Sequence, residues 1–177
     1  MGENHTLRER ISNWLFAIPA VAEWWSQRTA KTTGQLVDVS DPTPFAPVTK
    51  PLAQMRMALV TTGGFHRTDQ TPFDMENPLG DPTYRVIPDA TPRAELTITH
   101  KYYDHTDADT DHNVVFPLEL LHELVDKQVI GATAPRHFAF MGHIDGELIA
   151  TLNQETAPAV AEMLKQDQID AVLLTPA

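Results

Sequence analysis

The amino-acid sequence predicts an α/β fold with a mostly parallel sheet flanked by helices in Rossmann-like or flavodoxin-like layers, preceded by an N-terminal amphipathic helix. Short apolar runs typical of strands alternate along the chain with segments of helical periodicity, which is the pattern of parallel sheets with crossover helices. The chain has 177 residues, of which 42% are hydrophobic, so one domain with a normal core is expected.

Residues 1–40 are predicted to form a helical arm. Apolar residues recur at helical spacing across roughly residues 6–30, and Pro19 should kink or divide this helix. The helix carries Trp14, Trp24 and Trp25, which cannot easily all face one small core. Some of these side chains could therefore face a partner or a second subunit, and packing in the core is the alternative.

The rest of the chain divides into a proline-rich extended connector at 41–54 and an α/β domain at 55–177. The predicted elements are strands near 56–61 and 95–99, a helix near 117–127, a strand near 136–140, a helix near 154–166 and a strand near 170–174. We expect the four strands to lie in one sheet.

Composition excludes several classes of partner. The chain carries 24 acidic and 13 basic residues, a net charge of -11, without a dense basic patch, so nucleic acid is not an expected partner. No apolar run approaches the roughly 20 residues of a membrane span, and the N-terminus lacks a signal peptide, so we expect a cytoplasmic protein without membrane contact. The absence of cysteine excludes disulfides and thiol nucleophiles within the 177 residues.

The strand ends are the expected place for a ligand, because ligands of parallel sheets bind beyond the carboxyl ends of the strands. The first strand is followed by a segment with two glycines that allow a tight turn and a close approach of the backbone to a ligand, although a plain turn is the alternative. The candidate substrate-binding residues of this segment are Thr62, Gly63, Gly64 and His66.

A stretch rich in histidine and aspartate follows the second strand. Asp107, Asp109 and Asp111 match the first three ligands of a calcium loop, but His112 occupies the glycine position and Leu118 the glutamate position. No spacing typical of zinc or iron ligands is present either, so we expect no metal. The alternatives are a solvated acidic loop that caps turns or the polar lining of an active site.

Several motifs occur in a fixed order: "MALVTTGGFH", "GDPTYRVIP", "ITHKYYDHTDADTDHNVVFPLELLHELV", "IGATAPRHFAFMG" and "IDAVLLTP". Together they resemble the selenoprotein B family of glycine, sarcosine, betaine and D-proline reductases over about residues 47–177. The short D-proline-reductase-type subunit is the most similar type. The resemblance implies reductive cleavage of a C–N bond of an amino acid or amine.

The resemblance also implies where the nucleophile lies. In this family a selenocysteine or a cysteine follows the segment that resembles "AVLLTP", so we expect the nucleophile just after Ala177, with a C-terminal part of the domain beyond it. A selenocysteine codon read as a stop would explain an end at Ala177; a shortened chain and a natural end are the alternatives. We then expect Val172 and Leu173 or Leu174 to be exposed or covered by a second subunit.

Four residues present in the chain match the family's motifs. His100, Tyr103 and Asp104 match an "SHxxYD"-like stretch, with Thr99 replacing the serine, and His137 matches an "APxH" stretch. The resemblance implies that His137 or His100 donates a proton to the leaving amine, and that Tyr103 and Asp104 orient it. A structural, hydrogen-bonded role is the alternative for each histidine. We expect the four residues to gather at the sheet edge where the chain ends.

Arg85 could bind a substrate carboxylate through its two-pronged guanidinium, or form an internal salt bridge. The chain itself is expected to hold no cofactor besides the selenocysteine or cysteine, while a partner subunit of the reductase could carry a pyruvoyl group. The other expected partners are an amino acid or amine, a thiol reductant and further copies of the chain in a homo-oligomer. The alternative function is a non-catalytic binding or assembly module of the same fold, acting through the tryptophan-bearing N-terminal helix.

Overall fold

The structure is a computed structural model, which describes residues 18–21, 23–24 and 46–177. The chain divides into two compact units, residues 1–48 and 49–177. In the first unit, residue 18 forms a bend, residues 19–21 and 23–24 are helical, and the rest of the predicted N-terminal helix lies outside the described residues. No helix in the described part of the chain is both long and apolar enough to cross a membrane.

The second unit contains strands and helices in alternation. The strands are β1 (Arg56–Thr61), β2 (Phe65–Arg67), β3 (Tyr84–Pro88), β4 (Leu96–Ile98), β5 (Ala132–Thr133), β6 (Arg136–Phe140) and β7 (Ala171–Thr175). The helices are α1 (Thr106–Thr110), α2 (Leu118–Asp126), α3 (Leu148–Thr151) and α4 (Ala157–Gln166), and a π-helical turn at Leu152–Thr156 joins the last two.

The main sheet is built around β1, which is parallel to β5, β6 and β7. β5 and β6 pair with successive halves of β1, whereas β7 pairs with it along residues 57–61 and therefore lies on its other side. β3 runs antiparallel on the far side of β6. The α/β fold with a mostly parallel sheet is confirmed, and the Rossmann-like or flavodoxin-like layering stays a prediction.

The strand predicted at 95–99 is present as β4, but its expected place in the main sheet was wrong. The paired glycines after β1 turn the chain back into β2, and β4 pairs antiparallel with β2 in a separate two-stranded sheet. β3 was missed because a proline at its end and the turn residues before it indicate irregular structure. An edge strand accommodates such a proline.

Two apolar clusters lie on opposite faces of the main sheet. Ala139 belongs to one cluster and its neighbours Phe138 and Phe140 belong to the other, because successive side chains of a strand point to opposite faces. The first cluster includes Leu121 of α2, and the second includes Val160 of α4. Each fully buried phenylalanine contributes about 2–3 kcal/mol of hydrophobic stabilisation, so these helices are fixed on the sheet mainly by apolar contacts.

β7 is an edge strand with exposed apolar side chains. Val172 is 37%, Leu173 39% and Leu174 70% exposed. The expected exposure of these residues is confirmed. Among the described strands β7 pairs with β1 alone, so the hydrogen-bonding groups of its outer edge have no strand partner there.

Candidate active site

The carboxyl ends of β1, β6 and β7 meet at one edge of the main sheet, because these strands are parallel. The backbone N–H of Thr62, just beyond β1, donates to the carbonyl of Thr175 at 3.1 Å. The N–H of Ala177, beyond β7, donates to the hydroxyl of Thr62 at 3.1 Å. On the other side, the N–H of Gly64 donates to the carbonyl of Phe140 at 2.9 Å. We call the loops after these three strands the carboxyl edge.

His100 and Tyr103 reach the carboxyl edge through the small sheet. β4 pairs with β2, which begins at the glycine turn, and the N–H of Thr99 donates to the carbonyl of Gly64 at 2.9 Å. The hydroxyl of Tyr103 donates to the carbonyl of Gly63 at 3.0 Å. The rings of His100 and Tyr103 pack edge to face with their centroids 4.5 Å apart. Of the four predicted catalytic residues, His100 and Tyr103 thus lie around the turn formed by Thr62, Gly63 and Gly64.

Packing alone explains the two glycines of that turn. A Cβ atom on Gly63 would lie 2.4 Å from Cγ1 of Val115. Gly64 has a φ of +72°, and a Cβ atom there would lie 2.6 Å from the carbonyl oxygen of Thr99. The plain-turn interpretation therefore needs no ligand to account for these residues.

The backbone N–H groups of this turn are already used inside the protein. Those of Thr62 and Gly64 bond to carbonyls of the neighbouring strand ends, and that of Gly63 bonds to the hydroxyl of Thr61 at 3.1 Å. None of the three is therefore free to bind an anion at the edge. An anionic nucleophile at this place must be stabilised by side chains or by other backbone groups.

His100 is held as a neutral imidazole at neutral pH. Burial lowers its pKa to about 4, with smaller contributions from the charges of His105 and His143, while a hydrogen bond to the backbone of Met141 acts in the opposite direction. Its Nδ1 accepts a hydrogen bond from the N–H of Tyr102 at 3.1 Å. At neutral pH the free protein therefore offers a base or hydrogen-bonding group here, not an imidazolium acid.

Tyr103 remains protonated over the whole physiological range. Burial raises the pKa of its hydroxyl to about 12, and the negative charge of Asp109 acts in the same direction. Its proton is used in the hydrogen bond to Gly63. Tyr103 thus fixes the turn against the loop that carries His100, which is an orienting role.

Asp104 caps a turn beside the carboxyl edge. Its Oδ1 accepts hydrogen bonds from the N–H of Thr106 at 3.1 Å and from the hydroxyl of the same residue at 2.6 Å. These bonds stabilise the first turn of α1. The side chain is exposed.

His143 also lies at the carboxyl edge and was not among the predicted site residues. Its ring packs on that of Tyr102 with centroids 4.0 Å apart, and its Nε2 donates to the carbonyl of Pro78 at 3.0 Å. The sequence signal that could have identified it is its position three residues after the end of β6. It brings a second imidazole to the edge beside His100.

His137 is placed inside the main sheet instead of beyond its edge. The side chain is fully buried. Its Nδ1 accepts a hydrogen bond from the N–H of Leu59 at 2.9 Å, so Nε2 carries the proton and donates to Oδ1 of Asp89 at 2.9 Å. His137 lies two residues before Ala139, the register partner of Thr61 at the end of β1. We had expected His137 at the carboxyl edge, but the structure places it within the sheet.

His66 is a buried residue of β2 in the small sheet. It is 3% exposed. Its Nδ1 donates to the carbonyl of Arg67 at 2.8 Å, and its Nε2 accepts from the hydroxyl of Thr99 at 2.7 Å. Both ring nitrogens are thus used in internal bonds. Its role in substrate binding stays a prediction that these contacts do not favour.

Arg85 makes internal contacts. Its Nε donates to the carbonyl of Thr71 at 2.7 Å, and one terminal nitrogen donates to the carbonyl of Pro72 at 3.0 Å. The guanidinium carbon lies 4.2 Å above the ring centre of Phe73, and a terminal nitrogen lies 3.7 Å from a carboxylate oxygen of Asp81. These contacts lie within the protein, as in the alternative of an internal salt bridge, and they hold the long loop between β2 and β3.

Two cavities are found away from the carboxyl edge. One, of about 610 Å³, lies at the amino ends of β1 and β5, and is lined in part by Lys50, Arg56 and Asp170. The other, of about 210 Å³, lies beside Asp89 and His122. Within residues 46–177, no group of three or more histidine, aspartate or glutamate side chains could hold a metal ion.

Comparison with known proteins identifies the family of this chain. A family model described as glycine/sarcosine/betaine reductase selenoprotein B (GRDB) matches residues 27–177. The chain belongs to this family. The resemblance read from the motifs is thereby confirmed.

Two curated relatives are similar to the chain. One is the D-proline reductase subunit gamma of Acetoanaerobium sticklandii, 36% identical over 139 residues, which cover 78% of this chain and 55% of the relative. The other is the glycine reductase complex component B subunit gamma of Symbiobacterium thermophilum, 31% identical over 138 residues, which cover 76% of this chain and 31% of the relative. The chain thus spans about half the length of the first relative and about a third of the second. No solved structure matches it.

The matched selenoprotein B region contains both the carboxyl edge and the buried pair of His137 and Asp89. Membership of the family therefore cannot decide which histidine takes part in chemistry. Geometry distinguishes them: His100 lies at the strand ends, whereas His137 is used within the sheet.

Proposed function

We propose that this protein acts as the selenocysteine- or cysteine-dependent subunit of a reductase that cleaves a C–N bond of an amino acid, betaine or amine. Its family membership supports the reaction class. The single structural observation that supports the site is the hydrogen bond from Ala177 to Thr62, which joins the last strand to the turn that Tyr103 and His100 contact.

The proposed reaction balances as a two-electron reduction. One C–N bond breaks, the carbon and the nitrogen each gain a hydrogen, and two thiols supply the two electrons and two protons as they form a disulfide. The chain contains no cysteine, so in this proposal the nucleophile is a selenocysteine or cysteine that follows Ala177. A pyruvoyl group on a partner subunit would supply a carbonyl that holds the nitrogen of a primary or secondary amine, whereas betaine, whose quaternary nitrogen has no lone pair, would have to bind without it.

The residues at the carboxyl edge take defined roles in this proposal. Tyr103 is a positioning residue, because its hydroxyl ties the loop of His100 to the glycine turn. His100 is the proposed proton-transfer group. Its lowered pKa means that the free protein holds it neutral. A selenolate or thiolate nearby would raise that pKa. The ring would then receive the proton that the leaving amine later needs, once its Nδ1 releases the N–H of Tyr102.

The first test supplies the nucleophile. The 177-residue chain is compared with two forms that are extended by the coding sequence that follows codon 177, one with cysteine and one with serine at the reactive position. Each form is assayed with the partner subunit and a dithiol for release of amine from a panel that contains D-proline, glycine, sarcosine and betaine. We expect turnover in the cysteine form alone. Equal turnover by all three forms would remove the nucleophile from the mechanism.

The second test concerns the carboxyl edge. In the cysteine form, His100→Gln should lower kcat at least tenfold with a smaller change in KM, because the substitution removes proton transfer and leaves a polar side chain of similar size. His122→Gln, at a histidine remote from the edge, is the matched control and should retain activity. Similar losses in both variants would argue that His100 has only a structural role.

The location and assembly of the protein complete the proposal. We place it in the cytoplasm, where thiol reductants are available, and we propose that copies associate through Val172, Leu173 and Leu174, which are exposed on β7. An extended cysteine form that binds the partner subunit without any turnover would favour the alternative of a non-catalytic assembly module.

A further inference from the structure

The turn that carries His143 contacts the same residue as the end of β7. Gly142, directly before His143, has a φ of +91°, and a Cβ atom there would lie 2.6 Å from the carbonyl oxygen and 3.3 Å from the hydroxyl oxygen of Thr62. That hydroxyl also accepts the hydrogen bond from the N–H of Ala177. His143 is therefore held one residue away from a backbone contact with Thr62, beside the place where β7 ends.

The backbone of His143 is held from the other side by the loop between β2 and β3. Gly80 forms an isolated antiparallel bridge with Ile144, and a Cβ atom on Gly80 would overlap with the carbonyl oxygen of His143. The N–H of Asp145 donates to the carbonyl of Leu79 at 2.9 Å. The position of this imidazole is thus set by the packing of two loops.

The contacts of the His143 ring select one tautomer. Its Nε2 lies 3.0 Å from the carbonyl oxygen of Pro78, which can only accept, so in the neutral ring Nε2 carries the proton and Nδ1 has the lone pair. Among the described residues no hydrogen bond uses Nδ1, and this atom is not buried. The basic nitrogen of His143 is therefore accessible to a reacting group.

His100 differs from His143 in this respect. Its Nδ1 accepts a hydrogen bond from the N–H of Tyr102, and its ring is also bonded to the backbone of Met141. Proton uptake at Nδ1 of His100 therefore requires that an existing bond breaks. Proton uptake at Nδ1 of His143 does not.

The surroundings of His143 also suit the charge that the ring gains with a proton. Its ring lies on that of Tyr102 with centroids 4.0 Å apart, and the face of an aromatic ring attracts a cation. The carbonyl of Pro78 accepts from Nε2 in both protonation states. Lys101, whose Nζ lies 5.6 Å from the centre of the Tyr102 ring, opposes this charge. An anion formed in the same step would offset that repulsion.

We infer that His143 is a second catalytic residue of the carboxyl edge, whose Nδ1 takes the proton from the thiol or selenol of the nucleophile. The S–H or Se–H bond breaks, an N–H bond forms at Nδ1, and no atom is oxidised or reduced. The products are a thiolate or selenolate and an imidazolium. The inference rests on the proposed function, in which the nucleophile follows Ala177, and this transfer is separate from the one proposed for His100.

The arrangement contains the parts of an activated nucleophile. Such a site needs a nucleophile, an adjacent general base and a third group that orients the base. His143 supplies the base, and the carbonyl of Pro78 orients it.

The first part of the test uses the 177-residue protein and needs no activity. Long-range nitrogen–proton correlation spectra of the neutral ring should show the proton of His143 on Nε2. Diethyl pyrocarbonate, with the products mapped by mass spectrometry, should modify His143 at least tenfold faster than the buried His137. A proton on Nδ1, or modification as slow as that of His137, would overturn the inference. Both measurements are made on the unsubstituted protein, so they do not depend on the folding of a variant.

The second part uses the extended cysteine form. The rate at which iodoacetamide alkylates the cysteine at the reactive position reports its thiolate fraction. At neutral pH, His143→Gln should lower this rate at least tenfold, whereas His122→Gln, at a histidine remote from the edge, should leave it unchanged. Equal rates in these two variants, or a larger loss in His100→Gln than in His143→Gln, would contradict the assignment.

Alkylation requires neither a partner subunit nor a substrate, so its outcome is separate from that of the reductase assay. A cysteine form without turnover whose alkylation depends on His143 would remove the proposed reductase function and keep His143 as the base. Turnover in a form whose alkylation is unaffected by His143→Gln would keep the reductase function and remove His143 as the base.

Discussion

His100 and His137 both match motifs of the family, yet the structure puts them in opposite settings. His100 lies at the carboxyl edge, where one ring nitrogen bonds to its own loop and its ring packs on Tyr103. His137 is inserted into the main sheet, where it replaces a backbone partner of Leu59 and holds Asp89. The difference teaches that a histidine within a family motif can serve the fold, and that the position of each ring nitrogen distinguishes the two roles.

The largest effect is expected from removing the buried ring. His137→Leu keeps a similar volume but leaves the N–H of Leu59 unpaired and takes one donor from Asp89, so the free energy of unfolding should fall by about 2–5 kcal/mol. At the edge, His143→Leu removes one exposed hydrogen bond and should cost about 1 kcal/mol or less. Urea denaturation of both variants measures the contrast, and equal losses would contradict it.

The next effect is a displaced titration. The pKa of His100 is lowered from 6.5 to about 4, so its carbon-bound ring proton should titrate near pH 4 by nuclear magnetic resonance. Between these two values the unfolded chain binds more protons than the folded one, so this residue makes stability fall as the pH drops from 6.5 towards 4. His100→Gln should lack that contribution. A midpoint near 6.5 would show that the ring is solvated.

Asp89 predicts a third effect, at lower pH. Burial alone would raise its pKa, but hydrogen bonds from His137, His122 and Thr133 lower it from 3.8 to about 2. The stabilisation is complete well above pH 3.8 and is lost as the pH falls through 2. The shift corresponds to about 2 kcal/mol. Asp89→Asn should flatten the loss of stability between pH 5 and 2 in urea titrations, and an unchanged slope would speak against the hydrogen-bonded cluster.

A smaller effect is expected at the glycine turn. Gly63→Ala places a Cβ atom against Val115 and should destabilise the protein by about 1.5 kcal/mol through overpacking. Val115→Ala creates room for that atom, so the double variant should cost less than the sum of the two single variants. Additive losses in urea denaturation would mean that the contact does not explain the glycine.

The smallest effect is expected from one hydroxyl. Tyr103→Phe removes the hydrogen bond to the carbonyl of Gly63 and should cost about 1 kcal/mol. Tyr102→Phe is the matched control, because its ring is 45% exposed and no described hydrogen bond uses its hydroxyl. Thermal unfolding of the two variants compares them, and indistinguishable midpoints would contradict the orienting role of Tyr103.

Much of the fold could be predicted from the sequence, because the apolar runs of β1 and β6 and the periodicity of α2 are strong local signals. The partner of β4 could not, since the two glycines indicate a turn but not which later segment pairs with the strand that follows it. The position of His100 and Tyr103 at the carboxyl edge was predicted. The prediction placed the preceding strand, β4, in the main sheet, whereas it belongs to the small sheet. The buried position of His137 was not predicted, because a hydrogen bond between a side chain and a neighbouring strand produces no periodic pattern in the sequence.

The exposed outer edge of β7 has a consequence for handling the protein in solution. A net charge of -11 keeps molecules apart at low ionic strength, because like charges repel over a Debye length of about 30 Å at 0.01 M salt. At 1 M salt that length shrinks to about 3 Å, and the row of backbone groups beside Leu174 can then meet another strand. Salt concentration therefore sets how strongly this protein associates at high concentration, and a preparation that stays clear in dilute buffer should become turbid as salt is added.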